Sequence, residues 1–378
     1  MNIGIDGNEA NIAFRVGSGV YAYQLIRHLY ELDTWNNYTI YLKEAPLADM
    51  PLERSGWKYR VVGPKKLWTQ FGLPLALYTQ KEKLNVFFTP GHYAPRFCPF
   101  STVISVLDLA FFGFPEYFKK DDLMQLKSWT KYSVQKAKHV LTISESTKKD
   151  VVKYYQYPTD NITVTYIGYD TETFAPVLDE ERIESVLAKY GIARPYILYL
   201  GTLQPRKNIL RLVRAFHMLV AQEKYADLGL KLVIVGKKGW LFDEIFAEVK
   251  KLGMERVVVF TGFVPDEDKC AILSGALIYT LPSLYEGFGI PVLEAMACGT
   301  PVVTSRISSL PEVTGECGVL VDPYSEKSIC GGMKLLINDV PLREELRQKG
   351  LMWVKHFDWM NTARTTLKVL EDVGGGRE

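Results

Sequence analysis

The sequence predicts an α/β chain of two doubly wound parallel-sheet domains, on three observations. Its 378 residues, 47% of them hydrophobic, exceed what one core comfortably holds and suffice for two. Short apolar runs alternate with longer amphipathic stretches from end to end, the pattern of parallel strands joined by crossover helices. The alternation breaks once, between Gly168 and Pro195, where Pro176, a charged helix-like segment and Ala193-Arg194-Pro195 intervene.

In the first half the apolar runs predict strands at residues 3–6, 38–42, 59–62, 86–89, 102–107, 140–143 and 163–166, with helices near 20–32, 122–138 and 146–154. In the second half strands are expected at 196–200, 232–235, 257–261, 277–280, 302–304 and 319–321, with a helix over 209–221. One more helix, 359–372, precedes Gly374-Gly375-Gly376, which should fray. The expected organisation is a domain over 1–170, a linker over 171–194 and a domain over 195–356. Ligands of doubly wound sheets bind where strand C-terminal ends meet helix N-termini.

Composition excludes some partners. Charges nearly cancel, at a formal net charge of +2, so nothing argues for nucleic acid. The five cysteines are scattered and form no CxxC pair, which fits a reduced, cytoplasmic setting. No leader and no bilayer-spanning run is expected after Met1; the chain should be soluble, or at most peripheral to the inner face of a membrane.

The most informative stretch runs from Leu284 through Glu286, Gly287, Phe288, Gly289, Ile290, Pro291 and Glu294 to Val303. It reads as a strand, a loop and a helix N-terminus with Pro291 as an early helical residue. The free N–H groups of such a helix suit a diphosphate. Glu294 is expected in the first turn, ionised by the helix dipole and able to accept ribose hydroxyls. Glu286, before the loop, could bind the hydroxyls of a sugar.

Two glutamates seven residues apart within a loop of this kind resemble the signature of family 4 retaining glycosyltransferases, which have the GT-B fold: two Rossmann-like doubly wound domains facing across a cleft. The resemblance extends over nearly the whole chain, through Gly17-Ser18-Gly19, Ile143-Ser144-Glu145-Ser146, Gly201-Thr202-Leu203-Gln204-Pro205-Arg206-Lys207-Asn208, Thr261-Gly262-Phe263-Val264 and Ser308-Ser309-Leu310-Pro311-Glu312-Val313. It implies that Glu286 contacts the donor sugar and Glu294 the nucleotide ribose. Arg206 and Lys207 would neutralise the diphosphate. Gly17 and Gly19 would overhang the phosphates, while Phe263, Gly287, Phe288, Gly289 and Ile290 complete the donor site. Asp108 matches an aspartate that follows a sugar-contacting histidine in many relatives; Leu107 stands where that histidine would be, and Asp108 reads equally as a turn cap. The resemblance also implies that the last helix, within 357–373, packs back on the first domain.

Gly17-Ser18-Gly19-Val20-Tyr21-Ala22 formally matches a dinucleotide fingerprint, but it starts about ten residues after the first strand rather than in the turn that closes it. Asp266-Glu267-Asp268 looks like a metal-binding DxD but reads better as a charged helix start, and no metal or other cofactor is expected. Residues 119–153 hold nine lysines interleaved with Leu123, Met124, Leu126, Trp129, Tyr132 and Val134, either a solvated helix face or a contact for an anionic membrane.

The expected function is a retaining hexosyltransferase acting in polysaccharide biosynthesis, with a nucleotide-sugar donor, GDP- or UDP-linked, and a glycan or lipid-linked acceptor. Phe114-Pro115-Glu116-Tyr117-Phe118 and the 201–208 segment look like the mannosyltransferase branch, which favours GDP-mannose. The alternatives are a sugar-nucleotide epimerase of related architecture and a non-catalytic nucleotide-sugar-binding protein.

Overall fold

The computed structural model describes residues 1–237, 239 and 242–375. They form two compact units, one combining Met1–Gly168 with the chain from Phe357 onward, the other Tyr169–His356. Every expected strand is present within two residues of its expected bounds.

The first unit holds a seven-stranded parallel sheet of β1 (Asn2–Asp6), β2 (Asn37–Leu42), β3 (Trp57–Val61), β4 (Val86–Thr89), β5 (Ser101–Val106), β6 (His139–Thr142) and β7 (Ile162–Val164). The order is β3-β2-β1-β4-β5-β6-β7, which reverses direction between β1 and β4. Its central strands are continuous apolar runs because helices cover both faces; Ile3, Ile5, Phe87, Phe88, Val103 and Ile104 are fully buried. The Ser18–Leu32 helix buries Tyr21, Ala22, Leu25, Ile26 and Leu29 along one side.

The Trp359–Gly375 helix lies against this helix, with the Trp359 indole 6.1 Å from the Tyr21 ring and 6.4 Å from the His28 ring. A Cβ on Gly168 would come within 2.4 Å of the Trp359 backbone nitrogen, so the chain passes too closely for any other residue. Trp359→Ala is expected to destabilise the first unit by about 3–5 kcal/mol through the cavity it leaves, measured as an earlier denaturant transition. The helix does not end at Asp372: it continues through Gly374 and Gly375. A Cβ on Gly374 would lie 2.2 Å from the tip of the Met1 side chain and 3.3 Å from the Cβ atoms of Asn85 and Val86, so the helix packs closely on the start of the sheet here. Gly376 lies outside the described residues.

The second unit holds a six-stranded parallel sheet of β8 (Tyr196–Leu200), β9 (Lys231–Val235), β10 (Val258–Gly262), β11 (Ile278–Leu281), β12 (Val302–Ser305) and β13 (Gly318–Val321). Its order, β10-β9-β8-β11-β12-β13, reverses between β8 and β11. The stretch expected as a linker is part of this unit. Its Glu180–Lys189 helix is capped by the Asp179 side chain, which accepts from the Arg182 N–H, and buries Ile183, Val186 and Leu187. Ile183 packs against Gly275, at the end of the Asp266–Ser274 helix. The charged segment is a helix, as the sequence reads it, and its many charges are the solvated face; the spacing of those three apolar residues is what docks it on the second unit.

Candidate functional site

The reversal in the second sheet sets the loops after β8 and β11 side by side at the strands' carboxyl ends, where open α/β sheets bind ligands. The loop after β8 ends in a tight turn, Pro205–Lys207, closed by Asn208 in the left-handed region at φ 61°. Asparagine tolerates that conformation, and its buried amide donates to the carbonyls of Pro282 at 2.9 Å and Pro323 at 2.7 Å. The Leu284 N–H donates to the Arg206 carbonyl at 2.9 Å, which joins the two loops directly.

This tie brings three predicted residues together. Lys207 Nζ lies 2.6 Å from Glu286 Oε1, and Arg206 Nη1 lies 3.4 Å from Oε2 while donating to the Tyr285 carbonyl at 2.6 Å. Ser283 Oγ donates to Oε1 at 2.7 Å. Glu286 is only 6% exposed. Burial alone would push its carboxyl up, but the charges of Lys207 and Arg206, with hydrogen bonds from Lys207 and Ser283, outweigh it and hold the group below the ordinary glutamate value. The result is an ionised carboxylate with two cations fixed around it.

The following backbone is held from the side. Ser308 Oγ accepts from the Glu286 N–H at 3.0 Å, and the single O–H of Ser309 is shared between the carbonyls of Phe288 at 2.6 Å and Glu286 at 2.9 Å. Gly289 then turns the chain at φ 116° and caps the Ile290–Ala297 helix. A Cβ on Gly289 would lie 2.7 Å from Leu310 Cδ2, so position and conformation both require glycine. Ile290 and Pro291 open the helix, and its N-terminus follows, within the loop after β11, the Glu286 carboxylate to which the cation pair is bonded.

Glu294 corrects one expectation. It is the fifth helical residue, past the first turn, and its half-buried carboxyl is not kept ionised by the dipole. Burial pushes it up to about 7; Lys269 opposes this and Asp266 and Asp170 add to it. The dipole's reach ends within the first turn, whereas desolvation acts wherever water is excluded.

Phe263, just past β10, is 57% exposed with Lys237 Nζ 4.4 Å from its ring centre. Asp266, Glu267 and Asp268 open a helix, as the sequence reads; Asp268 accepts from Lys189 at 2.6 Å and from Tyr190 at 2.7 Å. Among the described residues no cluster of three or more His, Cys, Asp or Glu side chains is arranged to hold a metal ion.

Gly17, Gly19 and Asp108 belong to the first unit. Gly17 caps the Ser18–Leu32 helix at φ 52°, and a Cβ on Gly19 would press on Ile12 and the Glu9 carbonyl. Asp108 Oδ1 accepts from the Ala110 N–H at 3.1 Å, the turn-capping contact. Leu107 is 9% exposed, so core packing accounts for most of its surface. His92 was not singled out by the sequence. It follows β4, the strand next to β1 at the first sheet's reversal, and its Nδ1 is buried without a hydrogen-bond partner. Burial lowers its pKa, opposed by the carboxylates of Asp108 and Glu9.

The chain is similar to known proteins along most of its length. Residues 183–353 match the family model described as glycosyl transferases group 1. The chain is 33% identical over 311 residues to the O-antigen chain mannosyltransferase B of Escherichia coli, covering 82% of this chain and 78% of that protein. It is 31% identical over 240 residues to an MMP alpha-(1->4)-mannosyltransferase of Mycolicibacterium hassiacum, covering 61% of this chain and 53% of that one. Among solved structures, sucrose-phosphate synthase from Thermosynechococcus elongatus superposes with a TM-score of 0.75 at 18% identity, over 99% of both chains. Anabaena HepE, solved in complex with UDP-glucose, gives a TM-score of 0.75 at 17% identity, over 98% of this chain and 99% of that one. These structural likenesses show the GT-B fold. With the sequence relatives, they establish that the chain belongs to the group 1 glycosyl transferases and is a hexosyltransferase.

Proposed function

We propose that the chain transfers mannose from a nucleotide diphosphate donor, GDP-mannose in preference to UDP-linked sugars, to a glycan or lipid-linked acceptor, with retention of anomeric configuration. The observation that carries the reading is the Arg206–Lys207–Glu286 cluster beside the N-terminus of the Ile290–Ala297 helix. As the sugar–phosphate bond breaks, negative charge grows on the diphosphate. Cations already fixed where that charge appears stabilise the transition state without reorganising. Glu286 holds both cations in place and offers its carboxylate to sugar hydroxyls; Glu294 takes the ribose, with Gly287, Phe288 and Ile290 shaping the pocket and Phe263 toward the base. In the first unit Gly17, Gly19 and Asp108 serve the donor and acceptor. The names of the sequence relatives support mannose.

The test is nucleotide release from GDP-mannose with oligosaccharide acceptors, with the anomeric configuration of the product read by NMR. Turnover in EDTA should equal that without it, because Arg206, Lys207 and the helix already balance the phosphates. Interconversion of donor sugars without acceptor would mark an epimerase, and stoichiometric binding without turnover a binding protein.

A lipid-linked acceptor motivates a peripheral membrane contact. No described helix is long and apolar enough to cross a membrane. The Lys120–Lys136 helix does present Lys120, Lys127 and Lys131 around Leu123 and Met124 in an open groove, a composition suited to an anionic surface.

A further inference from the structure

The helical segment after β3 exposes an apolar stripe that nothing in its own unit covers. It opens as a π-helical turn, Trp68–Gly72, and continues as Leu73–Thr79. Trp68, Gly72, Leu73, Ala76 and Leu77 face inward, and most of them join a core cluster with Tyr41, Leu84 and Phe87. The other side carries Leu67, Phe71, Leu75 and Tyr78, which are 53%, 62%, 61% and 60% exposed. Phe71, Leu75 and Tyr78, at spacings of four and three, share one face of the helix, and Leu67, in the left-handed region at φ 52° just before it, extends the exposed apolar surface. Single exposed apolar residues need no explanation; three on one face of a short helix, with a fourth beside its start, do.

The charges around the stripe point to its occupant. From Trp57 to Lys83 six lysines and arginines meet one acid, Glu82. Lys65 and Lys66 stand at one end of the stripe and Lys81 and Lys83 at the other, all four exposed. Lys58 is paired with Glu82 at 2.5 Å and Lys65 with Glu44 at 2.8 Å. A second copy of the chain would bring the same positive charge to the contact, which disfavours self-association. An anionic bilayer offers apolar acyl chains to the row and phosphate headgroups to the lysines, and it accommodates an amphipathic helix lying in its plane.

We propose that the Leu67–Phe71–Leu75–Tyr78 face is a membrane-insertion surface, the helix lying in the headgroup region of an anionic bilayer with its flanking lysines on the phosphates. This deepens the membrane reading above and rests on it, but on residues separate from the Lys120–Lys136 helix. The full chain is floated with phosphatidylcholine vesicles with and without phosphatidylglycerol. Wild type should partition onto the anionic vesicles at least about tenfold more than onto neutral ones, and Phe71→Asp/Leu75→Asp should lose at least about tenfold of that binding. Its donor turnover in detergent-free solution should stay at the wild-type level, because both side chains already face solvent. Phe71→Trp should shift its emission to the blue on anionic vesicles, which a purely electrostatic contact would not produce. If Phe71→Asp/Leu75→Asp binds like wild type, the proposal falls. If binding is then lost in Lys120→Glu/Lys127→Glu/Lys131→Glu, the long basic helix is the contact and the broader membrane reading survives alone. If wild type is a dimer by light scattering, the aspartate variant a monomer and neither floats, the stripe is an interface between copies and the proposal falls.

Discussion

Lys207→Ala is expected to lower turnover by about 10²–10³, the usual consequence of removing one preorganised electrostatic contact to a group that gains charge in the transition state. The geometry sets a second expectation. Lys207 is bonded to a carboxylate that is 6% exposed, so the variant also leaves Glu286 with Arg206 and Ser283 as partners in a site that burial disfavours. Breaking a buried pair from one side costs about 3–5 kcal/mol when no partner remains, and less here because Arg206 stays. Lys207→Ala should therefore be slower and less stable, and Glu286 should titrate at higher pH. Neutralising the orphaned charge separates the effects: Lys207→Ala/Glu286→Gln should regain most of the lost stability and none of the lost turnover. Full activity in folded Lys207→Ala would remove it from the leaving-group site. Glu286 is thus a buried partner of two cations as well as a candidate sugar ligand, and Glu286→Ala should be read with a stability measurement beside it.

The second large effect concerns Glu294. A carboxylate accepting ribose hydroxyls makes charge-assisted bonds worth about 1.5–3 kcal/mol, so Glu294→Ala should weaken nucleotide binding by about 10–100-fold. The dependence on pH is more specific. The folded group titrates near 7 against an ordinary 4.5, so in the ligand-free protein its contribution to stability is present below 4.5 and is lost as pH rises through about 7. Ribose hydroxyls favour the ionised form, so affinity should fall as pH drops below 7. The nucleotide's terminal phosphate titrates at about 6 and contributes its own slope. The measurement is the dissociation constant for GDP from pH 5.5 to 8 in wild type and Glu294→Gln. The glutamine variant should show a flatter profile and, without ligand, a smaller loss of stability toward pH 8. Parallel profiles would mean that Glu294 does not meet the ribose.

Much of this was legible in the sequence, for identifiable reasons. Strands buried on both faces are short apolar runs, and Val86–Thr89 or Lys231–Val235 can be read from composition alone. The meeting of Arg206 and Lys207 with Glu286 follows once β8 and β11 flank the reversal, because each residue lies just past one of those strands. What sequence could not show depends on distant neighbours. Glu294 differs from an ordinary helical glutamate only through the water excluded around it. His92 lies in no spacing motif and becomes notable only because β4 pairs with β1. The row from Leu67 to Tyr78 merges in sequence with Trp68, Leu73 and Leu77, which face the core, and only burial separates the two sets. Ser308 and Ser309 stood in the family resemblance without a role; their hydrogen bonds to Glu286 and Phe288 supply one.

The return of the Trp359–Gly375 helix to the first unit has a consequence for synthesis. The second unit is a single uninterrupted stretch, Tyr169–His356, and can complete its core as soon as it has left the ribosome. The first unit, begun earlier, must wait with the surface at Tyr21, His28 and Gly168 uncovered until the Trp359–Gly375 helix arrives. The first unit's opening stretch is therefore covered only after the second unit is whole, and a chain cut between His356 and Trp359 has an intact second unit and a defect near its beginning.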